Sequence, residues 1–366
     1  MKKILVMGAG KIGSTIANLL DSVEDYSVTL ADSSQAALAK VKATSLVRLQ
    51  PLDITDPAAL RAALAGQFAV LSAAPFHLTA QIAGAAVAEK VHYLDLTEDV
   101  ASTRRVKELA TTAHSALIPQ CGLAPGFVSI VAAELCRRFD SPHSVRLRVG
   151  ALPQYPSNAL NYNLTWSTDG VINEYCEPCE AIVEGVLRQV PPLAEHEEFS
   201  LDGVTYEAFN TSGGLGTLCE TLLGKASNLN YKTIRYPGHA AIMKVLLNDL
   251  RLRDRRTVLK DILENALPTT QQDVVIVFVT VSGQREGRLM QETYAHKIYS
   301  RVVGGALCSA IQITTAAGIC AVLDLLAAGQ LPQRGFIRQE DIALADFLAN
   351  RFGIAYADQS SQLAAA

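Results

Sequence analysis

Residues 3–13 read Lys-Ile-Leu-Val-Met-Gly-Ala-Gly-Lys-Ile-Gly, and this stretch decides the fold of the N-terminal region. A short apolar run that ends at a glycine is typical of a buried strand in a parallel sheet. The glycines have the spacing GxGxxG, and apolar residues recur at helical intervals from residue 12 to residue 20. The stretch therefore predicts a strand, a tight turn and a helix that begins within the turn.

Each glycine of this turn has its own physical reason. Gly8 permits the tight turn, Gly10 has no side chain to obstruct a diphosphate, and Gly13 lets the helix pack closely on the strand. The helix N-terminus, with Lys11 and Ile12, adds unpaired N–H groups and a positive dipole end. We expect these residues to bind a dinucleotide cofactor. The alternative is a glycine turn in an α/β fold that binds no nucleotide.

Two acidic residues follow later strand patterns. Asp32 lies about twenty residues beyond the glycine motif, where a carboxylate accepts hydrogen bonds from ribose hydroxyls and repels a 2′-phosphate. This position predicts NAD rather than NADP. Asp53 follows the third strand pattern, where it either approaches the adenine or starts a helix.

Strand and helix patterns alternate over roughly the first 120 residues, as right-handed βαβ units require. The pattern then changes to a hairpin around Asp202-Gly203 and a Val-rich strand from Asp273, with Arg288–Arg301 as its antiparallel partner. We therefore predict an α/β protein in which a Rossmann domain, a doubly wound parallel sheet, carries an inserted mixed α+β domain for substrate binding and dimerisation. The predicted boundaries are 1–125 plus 302–350 for the Rossmann domain, 126–301 for the inserted domain and 351–366 for a C-terminal tail.

Composition narrows the class of protein. The chain has 366 residues, a net charge of −4 and 49% hydrophobic residues, which favours a globular chain and offers no basic excess for nucleic acid. The seven cysteines are scattered and odd in number, and the apolar run near the N-terminus is too short for a signal peptide. We expect a cytoplasmic protein with a small-molecule substrate and no nucleic-acid partner.

The stretch Val302–Leu323 contains no charged residue and is long enough to span a bilayer. It also contains polar residues and glycines, and the rest of the chain shows no membrane topology signal. We predict a buried helix here and no membrane partner.

Three segments follow strand patterns at the sheet edge where α/β proteins bind ligands. The first contains Ala73, Ala74 and Pro75, whose small side chains would let the nicotinamide ribose lie against the backbone, followed by His77. His77 is either a proton carrier or a helix-capping residue. The other two segments are Asp95-Leu96-Thr97-Glu98-Asp99 and Gln120-Cys121-Gly122-Leu123-Ala124-Pro125-Gly126.

Several segments together resemble one family, the saccharopine dehydrogenase-like oxidoreductases, and within it the lysine 6-dehydrogenases. Besides the glycine motif, they are Asp95-Leu96-Thr97-Glu98, Gly122-Leu123-Ala124-Pro125-Gly126, Leu164-Thr165-Trp166-Ser167, Ile172-Asn173-Glu174-Tyr175, Tyr206-Glu207-Ala208-Phe209, Leu218-Cys219-Glu220-Thr221-Leu222 and Thr233-Ile234-Arg235-Tyr236-Pro237-Gly238-His239. The resemblance covers almost the whole chain.

The resemblance implies an amino-acid substrate. Family members that handle saccharopine usually have Asp where this chain has Ala124, which favours lysine or a similar terminal amine. It also implies that Arg235 holds the substrate carboxylate; the alternative is a surface salt bridge. His239 would share a helical face with Arg235 if a helix has already begun there, and otherwise makes a contact at a helix N-terminus. Tyr162 and Thr165 are further substrate candidates.

These inferences predict NAD-dependent oxidation of the lysine ε-amine. The reaction requires a neutral amine and hence a base, for which Glu98, Asp95 and His77 remain unranked candidates. The alternatives are a saccharopine-type reductase that forms a secondary amine, and a non-catalytic NAD-binding sensor or scaffold. Cys176 and Cys179 form one CxxC without a second ligand pair, so no metal is predicted. The Val-rich strand suggests a homodimer.

Overall fold

The structure is a computed structural model that describes residues 1–303 and 305–357. The chain divides into two compact units. The first comprises Met1–Ile130, Val302–Ala306 and the described residues from Gln312 onwards, and the second comprises Val131–Arg301 and Leu307–Ile311. The chain passes from the second unit to the first after Arg301, as in the predicted division. It passes from the first unit to the second after Ile130, whereas the predicted division follows residue 125.

Two stretches divide differently from the predicted boundaries. Leu307–Ile311 belong to the second unit, where the Asp273 carboxylate accepts hydrogen bonds from the backbone N–H groups of Ala310 and Ile311. The predicted tail is not separate as far as residue 357, because Tyr356 is fully buried and its ring centroid lies 4.0 Å from that of Phe127. Residues 358–366, the rest of that tail, lie outside the described residues.

The described strands and helices alternate in the first third of the chain and then become strand-rich. The strands are β1 (Lys2–Met7), β2 (Tyr26–Asp32), β3 (Val47–Pro51), β4 (Ala69–Ser72), β5 (His92–Asp95), β6 (Ala116–Ile118), β7 (Ser141–Pro153), β8 (Cys179–Val183), β9 (Val186–Val190), β10 (Glu197–Leu201), β11 (Val204–Asn210), β12 (Asn228–Arg235), β13 (Asp273–Arg285), β14 (Arg288–Tyr299), β15 (Arg301–Val303), β16 (Ala306–Cys308) and β17 (Gly335–Phe336). The α-helices are α1 (Lys11–Asp21), α2 (Gln35–Leu38), α3 (Pro57–Leu64), α4 (Thr79–Glu89), α5 (Val100–Ala110), α6 (Phe127–Cys136), α7 (Thr168–Cys176), α8 (Leu218–Leu222), α9 (His239–Lys244), α10 (Arg256–Ala266), α11 (Ala310–Ala327) and α12 (Leu344–Ala349).

The first unit contains a parallel sheet of seven strands in the order β17-β6-β5-β4-β1-β2-β3. Its central strand β1 is buried over Ile4–Met7, which explains why that sequence is a continuous apolar run rather than an alternating one. Local signals set the helix starts: Asp56 caps α3, which begins at Pro57, and Asp99 caps α5. The doubly wound parallel sheet predicted from the sequence is thereby confirmed.

The second unit contains a mixed sheet of eight strands. Its main path is β10-β11-β12-β7-β13-β14, in which β12 pairs with β7 in parallel and the other neighbours are antiparallel, and β8 and β9 extend from β12. The predicted hairpin forms at Asp202 and Gly203, both of which have positive φ. The predicted pairing of the Val-rich strand with β14 is also confirmed.

The charge-free stretch forms a helix later than expected. The helix, α11, occupies Ala310–Ala327, and 78% of it is buried. This helix is long enough and apolar enough to cross a membrane. A buried core helix of a globular chain meets the same two criteria. The short strands β15 and β16 occupy the beginning of the stretch.

Candidate functional site

The glycine turn lies between β1 and α1, and its glycines meet different steric demands. Gly8 has a φ of +100°, and a Cβ there would lie 2.7 Å from the carbonyl oxygen of Ala73. A Cβ on Gly13 would lie 1.7 Å from the carbonyl oxygen of Gly8, so only glycine permits this close approach of helix and strand. Around a Cβ on Gly10, by contrast, no described atom lies within 4 Å. The turn is therefore tight on its inner side and open on its outer side.

The first turn of α1 is free to bind an anion. The helix begins directly after Gly10, with no side-chain cap and no acidic residue in its first turn. Lys11 is exposed and Ile12 is half-buried there. Because the first N–H groups of a helix have no intrahelical partner, they and the positive dipole end suit a diphosphate. The residues present fit a dinucleotide, which the backbone of the turn would hold.

Asp32 ends β2 with a carboxylate whose orientation is fixed by the protein. Its Oδ2 accepts a hydrogen bond of 2.7 Å from the Ala9 N–H, and its Oδ1 accepts one of 2.7 Å from the Ser34 N–H. A carboxylate accepts about four hydrogen bonds, so both oxygens keep capacity for ribose hydroxyls. The geometry fits the role that the sequence predicts.

The segment after β4 passes beside the glycine turn. The Ala73 N–H donates to the Met7 carbonyl oxygen at 2.8 Å, which continues the pairing of β4 with β1. Ala73 and Ala74 are half-buried, and Pro75 is exposed. Small residues therefore lie next to the turn, as the prediction of a nicotinamide ribose contact requires.

Asp53 is exposed and belongs to a local turn. Its Oδ1 accepts hydrogen bonds from the backbone N–H and the hydroxyl of Thr55, which lower the pKa of Asp53. It also lines a groove of about 800 Å³ between α3 and the β2–β3 edge of the sheet. Its carboxylate is turned towards Thr55, and its predicted adenine contact stays a prediction.

Asp95 ends β5 and its carboxylate accepts three internal hydrogen bonds. Its Oδ1 accepts from the N–H groups of Thr97 at 3.0 Å and Gln120 at 2.8 Å, and its Oδ2 accepts from the Tyr93 hydroxyl at 2.8 Å. Burial raises the pKa of Asp95 to about 6, although these donors oppose the shift. With only 1% of its surface exposed, Asp95 ties together the loops after β5 and β6. This geometry does not support Asp95 as the base that contacts a substrate.

Glu98 is the candidate base that the structure favours. It is half-buried in the loop after β5, and burial raises its pKa to about 7, with further increases from the charges of Asp99 and Asp95. A carboxyl with this pKa exchanges protons near neutral pH. His77 is exposed in a short 3₁₀ segment, edge-on to the Phe76 ring, with no feature that singles it out as a proton carrier.

The Gly122–Gly126 loop follows β6 at the same sheet edge. Gly126 has a φ of +134°, and a Cβ there would lie 2.1 Å from the Gly122 carbonyl oxygen, so the compact loop requires glycine. Ala124 is the half-buried member of this otherwise buried loop. A methyl group rather than a carboxylate is therefore presented at this position.

Arg235 ends β12 in the second unit and is 3% exposed, which excludes the surface salt bridge. Its Nε donates to the Tyr175 hydroxyl at 2.9 Å and its Nη1 donates to the Ile234 carbonyl oxygen at 2.9 Å. Its Cζ lies 4.9 Å from the centroid of the Tyr162 ring. Nη2 makes no hydrogen bond to a described residue, although Glu174 contributes a negative charge nearby, so Nη2 is available to a ligand.

Two buried hydroxyls accompany this guanidinium. Tyr162 and Thr165 are each 3% exposed, and neither hydroxyl has a hydrogen-bond partner among the described residues. Buried polar atoms without partners are rare and need an explanation. A polar ligand bound beside Arg235 would supply it, in agreement with the predicted substrate role of both residues.

Of the two positions predicted for His239, the one at a helix N-terminus is observed. His239 and Arg235 share no helical face, because Arg235 still belongs to β12 and α9 begins at His239. The imidazole instead reaches the Tyr175 hydroxyl through Nε2 at 3.1 Å and the Leu160 carbonyl oxygen through Nδ1 at 2.9 Å. His239 is 1% exposed, and these two bonds occupy both of its ring nitrogens, so the predicted direct substrate contact is not supported.

The predicted residues thus form two groups, one in each unit. Glycine-turn residues, Asp32, Glu98 and Ala124 follow strands of the parallel sheet, whereas Arg235, Tyr162 and Thr165 belong to the second unit. Sequence reasoning missed Tyr175, which bonds both Arg235 and His239. A tyrosine in a buried helix does not reveal this role in the sequence, because its two hydrogen-bond partners lie 60 and 64 residues away along the chain. Within residues 1–303 and 305–357, no three His, Cys, Asp or Glu side chains are grouped as metal ligands.

The fold and the glycine turn define the class: a two-domain, Rossmann-type protein with a nicotinamide dinucleotide-binding domain. The family model of the saccharopine dehydrogenase NADP binding domain matches residues 4–118, and that of the saccharopine dehydrogenase C-terminal domain matches residues 122–352. The chain belongs to the saccharopine dehydrogenase family of oxidoreductases.

Individual relatives are distant. Saccharopine dehydrogenase (NADP(+), L-glutamate-forming) of Saccharomyces cerevisiae is 24% identical over 268 residues, covering 69% of this chain and 59% of the relative. The protein with the same name from Pyricularia oryzae is 23% identical over 303 residues, covering 78% and 65%. The chain therefore spans less than two thirds of the length of these relatives. The apo structure of the S. cerevisiae saccharopine dehydrogenase has the same fold, with a TM-score of 0.78, 17% identity and coverage of 95% of this chain and 97% of that one.

Proposed function

We propose that the protein oxidises the terminal ε-amine of L-lysine with NAD, giving the semialdehyde, which cyclises to piperideine carboxylate. One water is consumed, and ammonia and NADH are released. The observation that carries the proposal is the buried Arg235, whose Nη2 has no partner among the described residues. Glu174 already contributes a negative charge near this guanidinium, but Nη2 makes no hydrogen bond to a described residue, so it remains available to a small carboxylate ligand.

In this proposal the second unit recognises the amino-acid end of the substrate. Arg235 binds the α-carboxylate through Nη2, and the hydroxyls of Tyr162 and Thr165 satisfy the polar groups around it. The presence of Ala124 in place of an acid supports a substrate without a second charged group at that position. A guanidinium also fits a carboxylate better than an ammonium does, because its donors lie in one plane.

NAD is the proposed cofactor, although the matched relatives and the family model carry NADP in their names. The fixed carboxylate of Asp32 supports NAD, because a 2′-phosphate would meet a negative charge already held in place by the N–H groups of Ala9 and Ser34. When bound, the nicotinamide supplies the hydride acceptor.

Glu98 is the proposed base. A free lysine ammonium has a pKa near 10.4 and no lone pair to assist loss of hydride. A carboxylate whose own pKa is raised to about 7 accepts a proton more readily than an ordinary glutamate does. Asp95 holds the loop of Glu98 by accepting the Thr97 N–H.

The test is NADH formation from L-lysine, saccharopine and 1,5-diaminopentane at alkaline pH, with NAD and with NADP. L-lysine should give the highest kcat/KM, and 1,5-diaminopentane, which lacks the carboxylate, should lose at least about tenfold. Arg235→Lys should raise KM for L-lysine and leave the affinity for NADH unchanged. Arg251→Ala, which alters an exposed arginine paired with Asp254, is the matched control. An absence of turnover with every amine would overturn the proposal in favour of a non-catalytic sensor.

The second candidate is a saccharopine dehydrogenase, which the names of the matched relatives favour. Such an enzyme would act on a secondary amine, and in reverse it would consume NADH or NADPH only with both an amine and an aldehyde or oxoacid. Turnover of saccharopine without turnover of L-lysine would replace the first proposal by this one.

A further inference from the structure

Arg235, Tyr175 and His239 form a hydrogen-bonded chain that crosses three elements of the second unit. Arg235 lies on β12, Tyr175 on α7 and His239 on α9, and the chain ends at the Leu160 carbonyl oxygen. Because a carbonyl oxygen only accepts, the proton of the imidazole lies on Nδ1, and Nε2 must accept from the Tyr175 hydroxyl. The Tyr175 oxygen is then left to accept from the Nε of Arg235. Every donor and acceptor has one consistent role.

Burial keeps this arrangement in one state. The three side chains are between 1% and 3% exposed, and the rings of Tyr162 and Phe209 pack against His239 at centroid distances of 5.4 and 6.2 Å. Burial, together with the charge of Arg235, lowers the pKa of His239 to about 3. The imidazole is therefore neutral at pH values well above 3, where its Nε2 remains an acceptor.

The chain fixes the plane of the Arg235 guanidinium. The guanidinium donates from Nε to the Tyr175 hydroxyl and from Nη1 to the Ile234 carbonyl oxygen. The Tyr162 ring covers one face of the guanidinium plane. The orientation of Nη2 is thereby set before a ligand arrives. A guanidinium held in this way loses little freedom on binding, which improves the affinity for a planar carboxylate.

We infer that Tyr175 is a positioning residue for carboxylate recognition, holding the Arg235 guanidinium in its ligand-binding plane, with His239 fixing the direction of the Tyr175 hydroxyl. This inference rests on the proposed function, and it replaces direct substrate contact as the role of His239. Tyr175 contacts no ligand in this scheme, and its effect passes entirely through Arg235.

The test is Tyr175→Phe, which removes one oxygen and keeps the ring that packs on Phe209. KM for L-lysine should rise at least tenfold, kcat should change less than twofold, and KM for 1,5-diaminopentane should stay within twofold. Tyr236→Phe is the matched control, because among the described residues the Tyr236 hydroxyl bonds the Pro153 carbonyl oxygen and not Arg235. An equal rise in KM for both substrates would show a merely structural role and overturn the inference.

A double-mutant cycle tests whether the effect passes through Arg235. In an Arg235→Met background, Tyr175→Phe should change KM for L-lysine by less than twofold, whereas multiplicative effects would overturn the inference. His239→Gln, which keeps an acceptor for the Tyr175 hydroxyl, should retain more affinity for L-lysine than His239→Leu. Equal losses in these two variants would remove His239 from the scheme.

Calorimetry separates this inference from the proposed function. If the wild-type protein oxidises no amine, the proposed function fails, and titration of the NADH-bound protein with L-lysine and with glutarate decides the role of Tyr175. Tyr175→Phe should then weaken the binding of either carboxylate at least tenfold. A wild-type protein that binds neither ligand, or a variant that binds both as tightly as wild type, would overturn the inference.

Discussion

The two candidate ligand-binding regions of this chain differ in the kind of atoms that form them. The glycine turn of the first unit relies on backbone N–H groups and on the absence of side-chain atoms at Gly8, Gly10 and Gly13. The Arg235 cluster of the second unit relies on large side chains from three elements that hold a buried charge. Added atoms should therefore damage the first region, and removed atoms should damage the second.

The largest effect that tests this comparison is expected within the glycine turn. Gly13→Ala would place a methyl group 1.7 Å from the Gly8 carbonyl oxygen, and we expect a loss of at least about 3 kcal/mol of folding stability. Gly10→Ala is the control, since its Cβ meets no described atom: it should keep the wild-type melting temperature and bind NADH more weakly. Equal melting temperatures for the two variants, measured by calorimetry, would contradict the steric argument.

The next largest effect concerns the proposed base. Glu98→Gln should lower kcat by about 100-fold or more, because general base catalysis contributes effects of that order. In the wild-type protein kcat/KM should rise as the pH increases through about 7, where Glu98 loses its proton, and the variant should lack this limb. Glu108→Gln, at an exposed salt bridge, is the control. A pH profile that keeps the limb in Glu98→Gln would assign it to another group.

Buried titratable groups of the two units should also respond to pH in opposite directions. His239 has a folded-state pKa of about 3, below its ordinary 6.5, so its contribution to stability is present above pH 6.5 and is lost as the pH falls. Asp95 and Glu98 have raised pKa values, so their contributions are present at low pH and are lost as the pH rises through about 6 to 7.

His239→Asn isolates one of these terms. Between pH 7.5 and pH 5 the wild-type protein should lose about 2 kcal/mol more stability than the variant, measured by denaturant unfolding at each pH. His77→Asn, at an exposed histidine, should follow the wild-type curve. Identical pH dependence in wild type and His239→Asn would mean that His239 is not held neutral.

The smallest expected effect concerns the choice of cofactor. Asp32→Asn should lower the ratio of kcat/KM for NAD to that for NADP by about tenfold, equivalent to about 1.4 kcal/mol, since it removes the charge that a 2′-phosphate would meet. Asp53→Asn should leave the ratio within twofold, because its carboxylate is turned towards Thr55. A lower ratio in Asp53→Asn and not in Asp32→Asn would mean that the charge that selects the cofactor lies in the groove beside α3.

The sequence predicted the first region in detail because its determinants are contiguous. One βαβ unit contains all of them: the run Ile4–Met7, the glycine motif and Asp32. The geometry of that unit alone predicts a role for each. The predicted hairpin at Asp202-Gly203 also formed, since its two turn residues and flanking strands are neighbours in the chain.

The second region was predicted only in part. Arg235 was recognised through the family resemblance, but its burial and its bond to Tyr175 depend on the packing of α7 against β12, which no local pattern specifies. For His239 the sequence left two alternatives open, a helical face shared with Arg235 or a contact at a helix N-terminus, because composition does not mark the end of β12 or the start of α9. The burial of Asp95 was hidden for the same reason: its partner Gln120 lies 25 residues away.

Neither end of the chain of bonds from Arg235 to Leu160 gains or loses a proton. Arginine does not release a proton at any pH at which proteins are folded, and a backbone carbonyl does not take one up. The chain therefore holds the guanidinium in place and transfers no proton to or from a ligand. In the proposed reaction, the proton that leaves the substrate ammonium would therefore pass to Glu98 and not along this chain.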